Sequence, residues 1–311
     1  MIKHSARLNQ VTRVFEPYNN RNGYIRLDRN EDPVGLKDEL FKNWKDQLTV
    51  HDIAAYADSN ILVEKLSKWT GAGVDNIYVT SGSDALIKTT FETYIDKGDV
   101  ILLQNPSWRM YDVYASIYRA ETSYIDYKED LSFDIDSLCQ HLENNKVRML
   151  VLANPNQPTG TKIEFNDLKK IIFLAKKKDT VVVLDEAYYL FNDDSAINLI
   201  NEFDNLIIAR TFSKAFGMAG LRIGYAVCDN KRVKELMLLR PVTDSNSIAV
   251  NLAIFMIDNI NYVIEKVNDF NNGRNFLYKK IFDNNILCHK SYANFLLVAC
   301  KNYDMAKEMV Y

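Results

Sequence analysis

The 311-residue chain lacks the marks of several protein classes. Its four cysteines, Cys139, Cys228, Cys288 and Cys300, form no C-x-x-C pair, which argues against a disulfide framework and a thiolate zinc site. The four histidines, His4, His51, His141 and His289, are not at metal-ligand spacing, so no metal centre is expected. Eleven glycines nowhere form G-x-G-x-x-G and no G-x-S-x-G occurs, which argues against a dinucleotide-binding module and a serine hydrolase. The longest apolar stretch, 248–257, is ten residues and contains Asn251, too short to cross a bilayer. Residues 1–13 are polar and carry no export-type apolar segment. With 38 Lys+Arg against 41 Asp+Glu, the formal net charge of -3 exerts no general pull on nucleic acid or anionic membrane. The expectation is a cytoplasmic protein with reduced thiols and neither a nucleic-acid nor a membrane partner.

What is present is ordinary globular composition, 47% apolar and 25% charged, in a chain longer than one typical core holds. Two lobes are expected. β-Branched runs recur at 76–80, 99–103, 148–153, 180–184, 205–209 and 222–227, each followed by a turn signal and most then by a helix-length amphipathic segment. In 166–178, for example, Leu168, Ile171, Ile172 and Ala175 follow helical spacing, with three lysines at the end that a helix dipole favours. Strands alternating with helices predict parallel pairing with right-handed crossovers. After Pro241 the pattern turns mostly helical to Ile281, and 291–300 reads as a strand of a second lobe. The expected division is an N-terminal arm over 1–29 packing with the small domain, a large domain over 30–265, and a small domain over 266–311.

Ligands of parallel sheets sit outside the carboxyl ends of the strands, so the segments that follow each strand carry the functional information. After Thr80, the run Ser81-Gly82-Ser83-Asp84 opens a helix whose free N–H groups favour an anion, with Asp84 offering its N–H while its side chain caps or turns away. The same Ser-x-Asp pattern is also a generic N-cap. After Leu103 comes Trp108, a flat surface for an aromatic ring or a core side chain. The loop after Ala153, with Gln157 inside Pro-Asn-Gln-Pro-Thr-Gly, is denser in prolines and carboxamides than a plain turn requires. Asp185, at the end of a valine-rich run, needs a cation or donor beside it if desolvated, as a surface-loop acid would not. Tyr188 follows. After Ala209, Lys214 lies in a small, apolar, glycine-rich setting that can depress its pKa and make it a carbonyl nucleophile, flanked by Ser213 and Arg222. An anion cradle, an aromatic plate, an acid for a ring nitrogen and a Schiff-base lysine together match pyridoxal 5'-phosphate.

In the order TSGSDA, PNQPTG, DEAY and TFSKAFGMAGLR, these segments resemble the fold-type I, class I/II pyridoxal-phosphate aminotransferases, and most of all the histidinol-phosphate aminotransferase branch, which includes threonine-phosphate-type decarboxylases. The likeness runs from 27–33 to 293–296. It implies an α/β fold: a three-layer αβα large domain with a mostly parallel sheet, plus a smaller α+β domain. It also implies roles. Lys214 forms the Schiff base and shuttles the substrate proton, Asp185 pairs with the pyridinium nitrogen, Tyr188 donates to the phenolic oxygen, and Trp108 stacks where the branch usually has Tyr. Gly82, Ser83, Asp84, Ser213 and Arg222, with Thr211, hold the phosphate. Tyr56 reaches the phosphate of a neighbouring subunit, which implies a homodimer.

Two departures stand out. Gln157 replaces the usual Asn, one methylene longer, and must be drawn back to meet the same phenolic oxygen. The sequence also ends at Tyr311, before the arginines that grip the substrate's carboxylate or phosphate; either the native chain continues or Arg26 or Arg29 substitutes. The expected activity is amino transfer between a small, in some cases phosphorylated, amino acid and a keto substrate. Decarboxylation of a serine or threonine phosphate is the alternative. A catalytically silent cofactor-binding module is a further one, against which the retained Lys214 counts.

Overall fold

A computed structural model describes residues 11, 21, 23, 25–192 and 194–308. Most of the arm expected over 1–29 therefore lies outside the described residues. The elements in chain order are α1 (Asp38–Lys45), α2 (His51–Ala54), α3 (Asn60–Thr70), β1 (Ile77–Thr80), α4 (Gly82–Tyr94), β2 (Val100–Asn105), α5 (Met110–Tyr118), β3 (Glu121–Asp126), α6 (Ile135–Asn144), β4 (Met149–Ala153), α7 (Phe165–Lys177), β5 (Val181–Asp185), β6 (Leu206–Thr211), β7 (Gly224–Cys228), α8 (Asn230–Met237), α9 (Ser247–Asp258), α10 (Ile260–Asp283), β8 (Cys288–His289), β9 (Leu297–Val298) and α11 (Tyr303–Glu308).

All six expected runs are strands of one seven-stranded sheet in the order β1-β7-β6-β5-β4-β2-β3. The apolar runs without alternation at β4, β5 and β7 are buried on both faces, as a helix-covered sheet requires. One face packs on Leu62 and Leu66 of α3, Leu138 and Leu142 of α6, and Leu168 and Ile171 of α7. The other packs on Leu86 and Phe91 of α4, Tyr111 and Tyr114 of α5, and Leu236 of α8. Three layers result. Leu168, Ile171, Ile172 and Ala175 of α7 are buried, while its C-terminal lysines are exposed.

The sheet is mostly parallel, as expected, and β7 is the exception. Strand β7 runs antiparallel to both β1 and β6, with Gly224 opposite Thr80 on one side and Thr211 on the other. The cause is local: the chain from β6 to β7 is a loop with one short 3-10 turn at Ala219–Leu221 and forms no crossover helix that would carry it back along the sheet for a parallel return. An additional strand, β3, escapes sequence patterning because it is a polar edge strand with a single buried side chain, Ile125, and pairs only with β2.

The strand expected over 291–300 shrinks to Leu297–Val298, paired with Cys288–His289. Backbone groups of this stretch bond elsewhere: Tyr292 N–H donates to the Gly160 carbonyl, and the Ala293 carbonyl accepts from Arg274 at 2.7 Å. Residue 265 falls within the unbroken helix α10, whose Val263 and Val267 are buried in the main core. Among the described residues, no single helix is long and apolar enough to cross a membrane.

Ile208, fully buried at the centre of β6 between Leu184 and Val227, reports on this core. Ile208→Ala is expected to cost about 2–5 kcal/mol of stability, read as a lower denaturation midpoint in urea.

Candidate active site

Pleat geometry selects the side chains that meet at the carboxyl edge. Side chains alternate between faces, so Ala153, Asp185 and Thr211 share the parity of Val151, Val183 and Ala209, which face α4 and α5. Glu186 takes the opposite parity, where Arg210 Nε meets its Oε2 at 2.9 Å and Ser195 and the Ala196 N–H donate to the same carboxylate. Neighbouring carboxylates thus separate: one is neutralised in the scaffold and the other opens into a cavity.

That cavity, about 190 Å³, is lined by Ser83, Asp84, Trp108, Tyr111, Ala153, Pro155, Gln157, Asp185, Ala187, Tyr188, Thr211, Ser213, Lys214 and Arg222. Asp185 is 6% exposed. Burial raises its pKa to about 6, opposed by hydrogen bonds from the Tyr111 hydroxyl at 2.8 Å and the Ala187 N–H at 3.0 Å, and by the charge of Lys214. Burial likewise lowers Lys214 to about 8, against the attraction of Asp185 and Glu31 and with the repulsion of Arg222. A lysine near pH 8 is a usable nucleophile and base.

The lysine reaches across to the chain's beginning. Its Nζ donates to the Arg29 carbonyl at 2.6 Å, and Asn30 Nδ2 donates to the Tyr188 hydroxyl at 3.0 Å. Tyr188 in turn donates to Gln157 Oε1 at 2.8 Å, so the longer carboxamide does meet the phenol. Burial holds the Tyr188 phenol in its protonated, donating form. Trp108 stands edge-on to Tyr111, ring centroids 5.3 Å apart, and keeps a face for the cavity it lines.

At the opposite end α4 begins without a side-chain cap: Ser81 donates instead to the Asp244 carbonyl, and Asp84 Oδ1 accepts from Tyr114. The generic N-cap alternative for this run therefore lapses, and the first-turn N–H groups remain for an anion. Gly82 has φ +85°, and a Cβ there would lie 2.9 Å from Arg222 Nη2. A Cβ on Gly224 would come within 2.6 Å of the Ser83 nitrogen. The two glycines let the cradle loop settle on the sheet. Arg222 Nη1 donates to Ser213 Oγ at 3.3 Å, and among the described residues no carboxylate pairs with this guanidinium. Antiparallel β7 brings Arg222 here, because the segment entering β7 adjoins the ends of β1 and β6.

Of the expected site residues, all but Gly82 and Tyr56 line the cavity; Gly82 leaves the space that Arg222 occupies, where a Cβ would collide, and Tyr56 lies outside, 88% exposed. Arg26 pairs with Glu31 at 3.3 Å and Arg29 Nε with Asp28 at 3.5 Å, so neither guanidinium enters the cavity. Tyr111 and Asn30 were not legible from the sequence. Tyr111 sits three residues beyond Trp108 in the same post-strand segment, and that proximity was the available signal.

An αβα sheet whose carboxyl edge carries a desolvated lysine, a buried acid and an anion cradle is the arrangement that the resemblance to fold-type I pyridoxal-phosphate enzymes implies. The family model "aminotransferase class I and II" matches residues 23–309, and the chain belongs to that family: it is an aminotransferase. It is 36% identical over 288 residues to the histidinol-phosphate aminotransferase of Thermoanaerobacter sp. (strain X514), covering 90% of this chain and 79% of that protein. The crystal structure of histidinol-phosphate aminotransferase from Sinorhizobium meliloti in complex with pyridoxal-5'-phosphate superposes with a TM-score of 0.79 at 24% identity, over 88% of this chain and 75% of that one. L-threonine-O-3-phosphate decarboxylase from Porphyromonas gingivalis shares the fold, with a TM-score of 0.72 at 22% identity over 88% and 86% of the two chains.

The buried acid costs stability. The folded protein holds the Asp185 proton to about pH 6, whereas an ordinary carboxyl loses it near 3.8, so the folded state binds more protons in between and stability falls as pH rises. Asp185→Asn is expected to make the cofactor-free protein more stable above pH 6 by about 1–3 kcal/mol, the gain fading toward pH 4. Equal urea midpoints at pH 7 would contradict the burial argument.

Proposed function

We propose that the chain catalyses reversible amino transfer with pyridoxal 5'-phosphate, between a small amino compound of the histidinol phosphate type and a keto acid, working as a homodimer in the cytoplasm. The observation that carries this is Lys214, its ammonium destabilised to about pH 8, in one cavity with the buried Asp185 carboxylate and an uncapped helix start. Bound there, the cofactor supplies an electron sink for the pair left at the substrate's Cα when a proton departs.

The residues divide that labour. The α4 N–H groups at Ser83 and Asp84, with Ser213, Thr211 and Arg222, would hold the phosphate, and the close approach at Gly82 leaves room for it. Trp108 would cover the ring face. Tyr188 and Gln157 would hold the phenolic oxygen, while Asp185 would hold the ring-nitrogen proton through its charge. Lys214 Nζ would hold the cofactor at its carbonyl carbon and would carry a proton to and from the substrate's Cα. The arm carbonyl at Arg29 gives that amine a resting partner.

Reduction of the loaded wild type with borohydride is expected to label Lys214, with no label in Lys214→Ala, which should still bind the cofactor noncovalently. Mixing wild type with histidinol phosphate or other amino donors, and no keto acid, should convert the cofactor stoichiometrically to its amino form. Catalytic CO2 release would favour the decarboxylase reading instead, and unchanged spectra with every donor a silent module.

The dimer rests on Tyr56, which with Val50 and Ile53 forms an exposed apolar edge around α2 and has no place in its own chain's cavity. All four cysteines are free, which fits a reducing compartment. Sedimentation should give a dimer, and Tyr56→Phe should weaken cofactor retention by about 1–2 kcal/mol, the scale of one charge-assisted hydrogen bond. A monomer active at all dilutions would refute it.

A further inference from the structure

Tyr111 has a location that packing alone does not require. It sits in the first turn of α5, is 1% exposed, and belongs to the core cluster beneath the sheet, where Phe would fill the same volume. Its hydroxyl nonetheless reaches past that cluster to Asp185 Oδ2, at 2.8 Å. The other carboxylate oxygen, Oδ1, takes the Ala187 N–H at 3.0 Å. Each oxygen thus carries one hydrogen bond from a neutral donor. A carboxylate has about four acceptor sites, so capacity remains on the side that lines the cavity.

We propose that Tyr111 is a positioning residue that fixes the orientation of the Asp185 carboxylate toward the ring nitrogen of the cofactor, an inference that rests on the pyridoxal phosphate reading above. Neutral donors suit this role. A cationic partner would neutralise the carboxylate whose charge must keep a proton on the ring, whereas a phenol orients it and leaves the charge intact. Burial and the adjacent carboxylate both push the Tyr111 phenol upward, so it stays a donor throughout the working pH range. The same hydrogen bond opposes the burial penalty on Asp185. Tyr111 also packs edge-on against Trp108 at an interplanar angle of 84°. One side chain therefore ties Asp185 to Trp108, the acid and the plate that would receive the ring.

The test compares wild type, Tyr111→Phe, Asp185→Asn and the double variant as loaded enzymes. Tyr111→Phe is expected to raise the dissociation constant for pyridoxal phosphate roughly tenfold, the scale of one hydrogen bond to a charged group. The acid limb of its kcat/KM profile should move to higher pH, because an unsupported Asp185 takes up a proton more readily. In the Asp185→Asn background the same substitution should change the dissociation constant less than about twofold, as expected when two residues act through one contact. A lower Tm for Tyr111→Phe with an unchanged dissociation constant and acid limb would reduce Tyr111 to packing and overturn the proposal. A full tenfold effect in the Asp185→Asn background would also overturn it. Wild type that takes up no pyridoxal phosphate would sink both this inference and the reading beneath it, whereas uptake unaffected by Tyr111→Phe would sink this inference alone.

Discussion

A carboxylate buried at the end of the central strand is the constraint around which the site is organised. Asp185 sits where β4, β5 and β6 end side by side, in register with Ala153 and Ala209. Ionising it there is unfavourable, and the surroundings offset the cost only in part: one phenol, one backbone N–H and a lysine amine. The residual imbalance appears in both groups, the acid raised to about 6 and the lysine lowered to about 8. A direct ion pair would engage the two groups with each other. The fold keeps the two groups in one cavity without a direct ion pair between them, which leaves both available to a ligand.

Such a site persists because the scaffold beside it is fully compensated. One residue further along, Glu186 is matched by Arg210, Ser195 and the Ala196 N–H, and Arg210 also lies over the Tyr189 ring at 3.5 Å. This buried network joins the ends of β5 and β6 from the face opposite the cavity. The strands that carry Asp185 and lead to Lys214 are thus held together by contacts that ask nothing of the site residues.

Much of the site could be read along the chain, since strand ends are local events. The valine-rich run before Asp185, the glycine after Thr80 and the apolar setting of Lys214 each state their chemistry within a few residues. Gln157 could be named from its loop, although its meeting with Tyr188 spans 31 residues. Less legible were elements whose stability comes from elsewhere. Strand β3 has no apolar period because it covers an edge, and the 291–300 segment loses most of its strand character because its backbone groups bond to Gly160 and Arg274.

By itself the sequence determined which groups are present and which strand end each follows, because hydrophobic period and turn chemistry act over short distances. Tertiary structure alone decided their meetings. Arg222 adjoins Gly82 because β7 turns antiparallel, Asn30 lies on Tyr188 across 158 residues, and Tyr111 reaches Asp185 across 74. Contacts at such separations depend on how layers pack and which face a pleat presents. Local pattern does not encode those quantities, and they emerge only when the whole core closes.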